Sequence, residues 1–77
     1  MEFAYIELKK YLEEQLKNIE YYKKDKKQQK KFYSEACGAV EFAMRMAESS
    51  RIKGATQKVS LLWNCDIMPK MNEAIWG

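Results

Sequence analysis

The chain has 77 residues, a formal net charge of +3 and 47% apolar residues. One domain is therefore the ceiling, and a chain this short buries only about 60% of its unfolded surface, so a staple or a second chain would help it. The composition excludes a disordered chain, the absence of His with only two Cys excludes a structural zinc site, and no stretch approaches the ~18 uninterrupted apolar residues of a membrane span.

The opening Met1-Glu2-Phe3-Ala4-Tyr5-Ile6-Glu7 is acidic from its second residue, unlike the basic start of an export signal. The expectation is a soluble, cytoplasmic protein in a reducing compartment. Cys37 lies in a run of small apolar residues and reads as a core thiol. On count alone it could also pair with Cys65.

Taken in order, the first element is an amphipathic helix. Tyr5, Leu8, Leu12, Gln15, Ile19 and Tyr22 follow three-four spacing, Leu16 widens the stripe, and Glu7, Lys10, Glu13, Glu14, Lys17 and Asn18 lie off it. The segment Lys23 to Lys31 then has no apolar residue and must be solvated. It is either the connection of a helical hairpin, with Asp25 capping the next helix, or the middle of one long helix, because a heptad register (22, 26, 29, 33, 36, 40, 43, 47) passes through it unbroken. The hairpin is favoured, since Lys26 and Gln29 would be two consecutive polar core positions in the long helix.

A second helix is expected from about Lys27 to Ser50. Between Ala36 and Ala47 only Glu41 and Arg45 are charged, four apart, so its polar stripe is narrow and most of its girth should be hidden from water. Ala39, Ala43 and Ala47, beside Ala36 and Gly38, predict close helix packing. Gly54 is a terminator and Thr56 a cap for a third helix from Gln57, with Val59, Leu62, Trp63, Ile67, Met68, Met71, Ile75 and Trp76 as its apolar set. Pro69 either kinks this helix or starts a short fourth one near Asp66; the break is preferred.

Catalytic chemistry has little to stand on. There is no His for acid–base work and no nucleophile–His pair. Glu13-Glu14 is the only adjacent acidic pair, and neighbours on a helix do not face each other. No Gly-rich phosphate loop or dinucleotide fingerprint is present. The expectation is a protein that is not an enzyme, with no catalytic residue, metal, cofactor or small-molecule substrate.

Two features remain. Lys23, Lys24, Lys26, Lys27, Lys30 and Lys31, flanked by Tyr21, Tyr22, Phe32 and Tyr33, read as a solvated junction or as a surface for nucleic acid or an acidic protein. Met44, Met46, Trp63, Met68, Met71 and Trp76 are adaptable or large contact residues, which read as core filling or as a protein-binding face. The apolar girth of the second helix exceeds what two modest helices can cover, which favours a homodimer or a partner protein.

Phe32-Tyr33-Ser34-Glu35-Ala36-Cys37-Gly38-Ala39-Val40-Glu41-Phe42-Ala43, with Leu62-Trp63-Asn64 and Ile75-Trp76-Gly77, resembles very small helical proteins of unassigned function encoded by phages and mobile elements of low-GC Gram-positive bacteria. These are packing motifs within residues 32–77. The resemblance implies a helical accessory protein that blocks or adapts a host protein, as anti-defence proteins do, and it carries over no functional residue. The expected fold is an all-α helical hairpin with a C-terminal helical segment packed across it, in a three- to four-helix bundle with coiled-coil spacing. The expected function is protein binding, with nucleic-acid binding through Lys23 to Lys31 as the alternative.

Overall fold

The computed structural model describes residues 5–77; the acidic start at residues 1–4 lies outside them. Helix α1 runs Tyr5–Tyr21, α2 Lys26–Ser50, α3 Ala55–Leu61 and α4 Met68–Trp76, with a π-helical turn, Leu62–Ile67, joining the last two. No strand occurs among the described residues. The fold is a helical hairpin with a C-terminal helical segment, the arrangement favoured by the polar positions Lys26 and Gln29.

The hairpin turns where the apolar pattern stops. Its connection is Tyr22 to Asp25, and the Asp25 N–H donates to the Tyr22 carbonyl at 2.9 Å. The Asp25 carboxylate then accepts from the Gln28 N–H at 3.2 Å, which satisfies one of the free donors of the first turn of α2. A single long helix is thereby ruled out, and α2 folds back along α1.

The end of α2 differs from the expected one. Arg51, and not Gly54, takes the left-handed conformation that stops the helix, at φ 58°. The Ser50 hydroxyl holds this corner, donating to the Ala47 carbonyl at 2.7 Å and accepting from the Ile52 N–H at 3.2 Å. Gly54, at φ 81°, is then the N-cap of α3, which starts at Ala55, two residues before Gln57. Its carbonyl accepts from the Lys58 N–H, so the Thr56 hydroxyl has no capping role. A left-handed starting residue favours glycine, which leaves the first turn to the backbone.

The break at Pro69 is not made. The helical backbone continues from Ala55 to Trp76, and the turn before Pro69 widens to π register, with the Met68 N–H donating to the Trp63 carbonyl five residues back. Proline has no N–H, and in α register its ring would press on the Cys65 carbonyl. The wider turn accommodates both defects without ending the helix. Asp66 pairs with Lys70 at 3.4 Å on the exposed surface and caps nothing.

The third rod, α3 to α4, returns along the hairpin. Its start lies near the beginning of α1, where the Lys58 amine sits over the Tyr5 ring at 5.8 Å. Its end lies near the close of α1, where Gln29 bridges Ile19 and Ala74. The core combines Leu12 and Ile19 from α1 with Ala36, Val40, Ala43 and Ala47 from α2 and Ala55, Val59, Leu62, Ile67, Met71 and Ile75 from the third rod. The alanines of α2 are what lets the rods approach closely. The rods form a bundle measuring 41 × 19 × 16 Å.

Candidate functional site

Two rods cover two sides of α2 and leave a third side open. Ala36, Val40, Ala43 and Ala47 face inward, whereas Gly38, Glu41, Phe42 and Arg45 are exposed, so the chain's own helices leave part of residues 36–47 uncovered. The uncovered side carries apolar residues among its charged ones: Phe42 is 66% exposed, with half-buried Ala39 and Met46 beside it.

Across from these residues, α1 contributes Leu8 and Tyr11. Together with Glu7 and Ala43 they line a shallow groove of about 270 Å³ between α1 and α2, nearly all of whose exposed wall is apolar. The spacing explains the geometry. Leu8 and Tyr11 lie on the outward shoulder of the stripe that carries Leu12, Gln15 and Ile19. Ala39, Phe42 and Met46, three and four apart, form the facing shoulder of α2.

One end of this face is polar and ordered. Gln15, buried between the helices, donates from its Nε2 to the Tyr11 hydroxyl at 2.8 Å and to Glu35 Oε2 at 3.1 Å. Its Oε1 accepts from Asn18 at 3.3 Å. The network fixes the Tyr11 ring at the groove edge and ties α1 to α2.

The six residues expected as one protein-binding face do not form a single surface. Met71 is fully buried, because Ile67, Met71 and Ile75 at four-residue spacing are the inward stripe of the third rod. Met44 and Trp63 pack half-buried against the core, and Met68 is also half-buried. Met46 lines the groove. Trp76, at the end of α4, is 55% exposed, and the Tyr33 ring of α2 lies 5.9 Å from both Trp63 and Trp76. The sequence reading places Leu8 in a buried stripe and Ala39 in a packing row and gives Tyr11 and Phe42 no contact role, although Phe42 lies off the buried register 36, 40, 43, 47 and follows the charged Glu41.

The six lysines are all exposed. Lys23 and Lys24 lie in the turn, and Lys26, Lys27, Lys30 and Lys31 in the first two turns of α2, whose first turn holds no acidic residue. Positive side chains here oppose the positive end of the helix dipole, and Asp25 is the local counterweight. Tyr21, 80% exposed, stands beside the cluster, while Tyr22 packs against Phe32 at 5.6 Å.

Cys37 and Cys65 are both free. Cys37 is half-buried one turn from Tyr33, and burial pushes its thiol above the usual range; the nearby Glu41 carboxylate adds to this, and a hydrogen bond with Tyr33 works the other way. Burial likewise raises the Tyr33 hydroxyl, with Cys37 adding to the effect. Cys65 is exposed.

Among the described residues no group of three or more His, Cys, Asp or Glu is placed to hold a metal ion, and no helix is long and apolar enough to cross a membrane. Comparison with family models, curated proteins and solved structures finds no match to this chain.

Proposed function

We propose that this chain is a small protein-interaction module that acts by binding and not by catalysis, with the outward α1–α2 face as its contact surface. The observation that carries this reading is the open apolar groove of Leu8, Tyr11, Ala39, Phe42 and Met46, which gathers apolar side chains from two helices, whereas exposed Ile6, Ile52, Leu61 and Trp76 lie outside it. Contiguous apolar surface of this kind is disfavoured in water and is the usual mark of a docking site. A groove between two helices fits an apolar helix face with anchors at three-four spacing. With the resemblance of residues 32–77, the reading becomes an accessory protein of a phage or mobile element that holds a host protein in a modulated or inhibited state.

A second reading has its own observation: six exposed lysines beside the exposed Tyr21 ring suit a nucleic-acid backbone with a stacked base. Salt separates the two. The immobilised chain and its Leu8→Asp/Met46→Asp variant would be challenged with extract of the source cell at low and at high salt. The first reading expects a protein retained at high salt by the parent chain and lost from the variant. Retention of nucleic acid that vanishes steeply with salt, unaffected by the variant, would favour the lysines instead.

A further inference from the structure

We infer that the outward side of α2 is covered by the same side of a second copy of this chain, the two α2 helices lying antiparallel about a two-fold axis near position 40. This rests on reading the α1–α2 face as an interaction surface, and it names the partner.

The seam is written along α2. Lys31, Glu35, Gly38, Phe42, Arg45 and Ser49 recur at alternating spacings of four and three, the pattern that lets one helix track another, and all six are exposed. Reversed about position 40, the row is complementary to itself. Phe42 of each copy meets Gly38 of the other, Glu35 meets Arg45, and Lys31 meets Ser49. A two-fold interface needs such self-complementarity.

Three observations point to this occupant. The first is Gly38. A glycine inside a helix lowers its stability, and a Cβ placed here would meet nothing within 4 Å, so the chain's own packing does not require the missing side chain. A facing ring does require it: the gap above Gly38 is a seat for Phe42. The second is charge. Among the described residues the only ion pair is Lys70 with Asp66, so Arg45 has no carboxylate partner among them. Glu35 gives one oxygen to Gln15 and faces outward. Antiparallel pairing forms two symmetric Glu35–Arg45 pairs, whereas parallel pairing would set Glu35 on Glu35 and Arg45 on Arg45. The third is continuity, since Ala39 and Met46 adjoin the seam and place the apolar groove at its border. Arg45, Met46 and Ser49 line a further shallow hollow on that border.

Sedimentation equilibrium of the parent chain, Arg45→Glu, Glu35→Arg/Arg45→Glu and Gly38→Leu tests the arrangement. The parent should dimerise reversibly. Arg45→Glu sets like charges together and should weaken association about tenfold or more, and the double variant should restore it. Gly38→Leu should raise the melting temperature of the monomer, because helix propensity improves, while weakening association, because the seat is filled. A parent that stays monomeric at millimolar concentration overturns the inference. So does a dimer indifferent to Arg45→Glu or to Gly38→Leu, or one not restored by the double variant. The groove reading is judged separately by the Leu8→Asp/Met46→Asp comparison, so failure of the dimer leaves that comparison to decide whether the face binds another protein.

Discussion

Gln29 is the residue on which the three rods converge. It is fully buried, and its Nε2 donates to the Ile19 carbonyl at 2.9 Å and to the Ala74 carbonyl at 3.3 Å. Both carbonyls lie in the last turn of their helices, where no intrahelical donor is left for them. One amide therefore closes the ends of α1 and α4 from within α2. Gln29→Leu should cost about 1–3 kcal/mol in denaturant unfolding, because the buried Ile19 carbonyl and the part-buried Ala74 carbonyl lose their donor; an unchanged midpoint would show that the bridge contributes nothing. As a polar residue in an apolar register, Gln29 could be recognised in the sequence as an argument for the hairpin. Its bridging role could not, because its partners lie 10 and 45 residues away. The cysteines allow a second test at this scale. Burial pushes the half-buried Cys37 thiol above its usual range, which disfavours the reactive thiolate. Exposed Cys65 should therefore react first with a disulfide reagent, as mass spectrometry of the labelled peptides would show; equal rates would mean that Cys37 is not shielded.

At the scale of elements, the chain signals its hairpin clearly and its third rod less so. The loss of apolar residues after Tyr22 and the short oxygen-bearing side chain of Asp25 both act locally, so turn and cap follow from neighbouring residues. Asp25→Ala should cost about 1 kcal/mol, since the α2 start would lose its cap and its one local counterweight to the lysines. A melting temperature that does not fall would contradict this. The sequence makes Gly54 the end of α2 and Thr56 the cap of α3; both roles shift upstream because the chain turns at Arg51, whose left-handed conformation no residue preference announces. Pro69 marks a defect without saying how it is relieved. Break, kink and π turn all remove the same clash, and packing of Ile67, Met71 and Ile75 on one inward line is what keeps the rod continuous.

For the whole molecule, three rods can bury two sides of α2 and no more. Burying a large apolar side chain contributes about 1.5–3 kcal/mol, so leaving Phe42 in water forgoes a sizeable share of what a marginal domain has available. The surplus of apolar girth on α2 was legible from residues 36–47. The direction in which it stays open was not, since that depends on where the third rod lies. The expected Met and Trp residues are dispersed for the same reason: composition singles out sticky residues, while topology puts Met71 inside and Met46 on the groove. The direct measurement is a dilution series by two-dimensional NMR on labelled chain, from millimolar to micromolar concentration. Shift changes should gather at Glu35, Gly38, Phe42, Arg45 and Met46, with smaller ones at Leu8 and Tyr11. Changes confined to Trp63 and Trp76 or to the lysine cluster, or none at all, would contradict the assignment of α2's open side as the contact surface between copies.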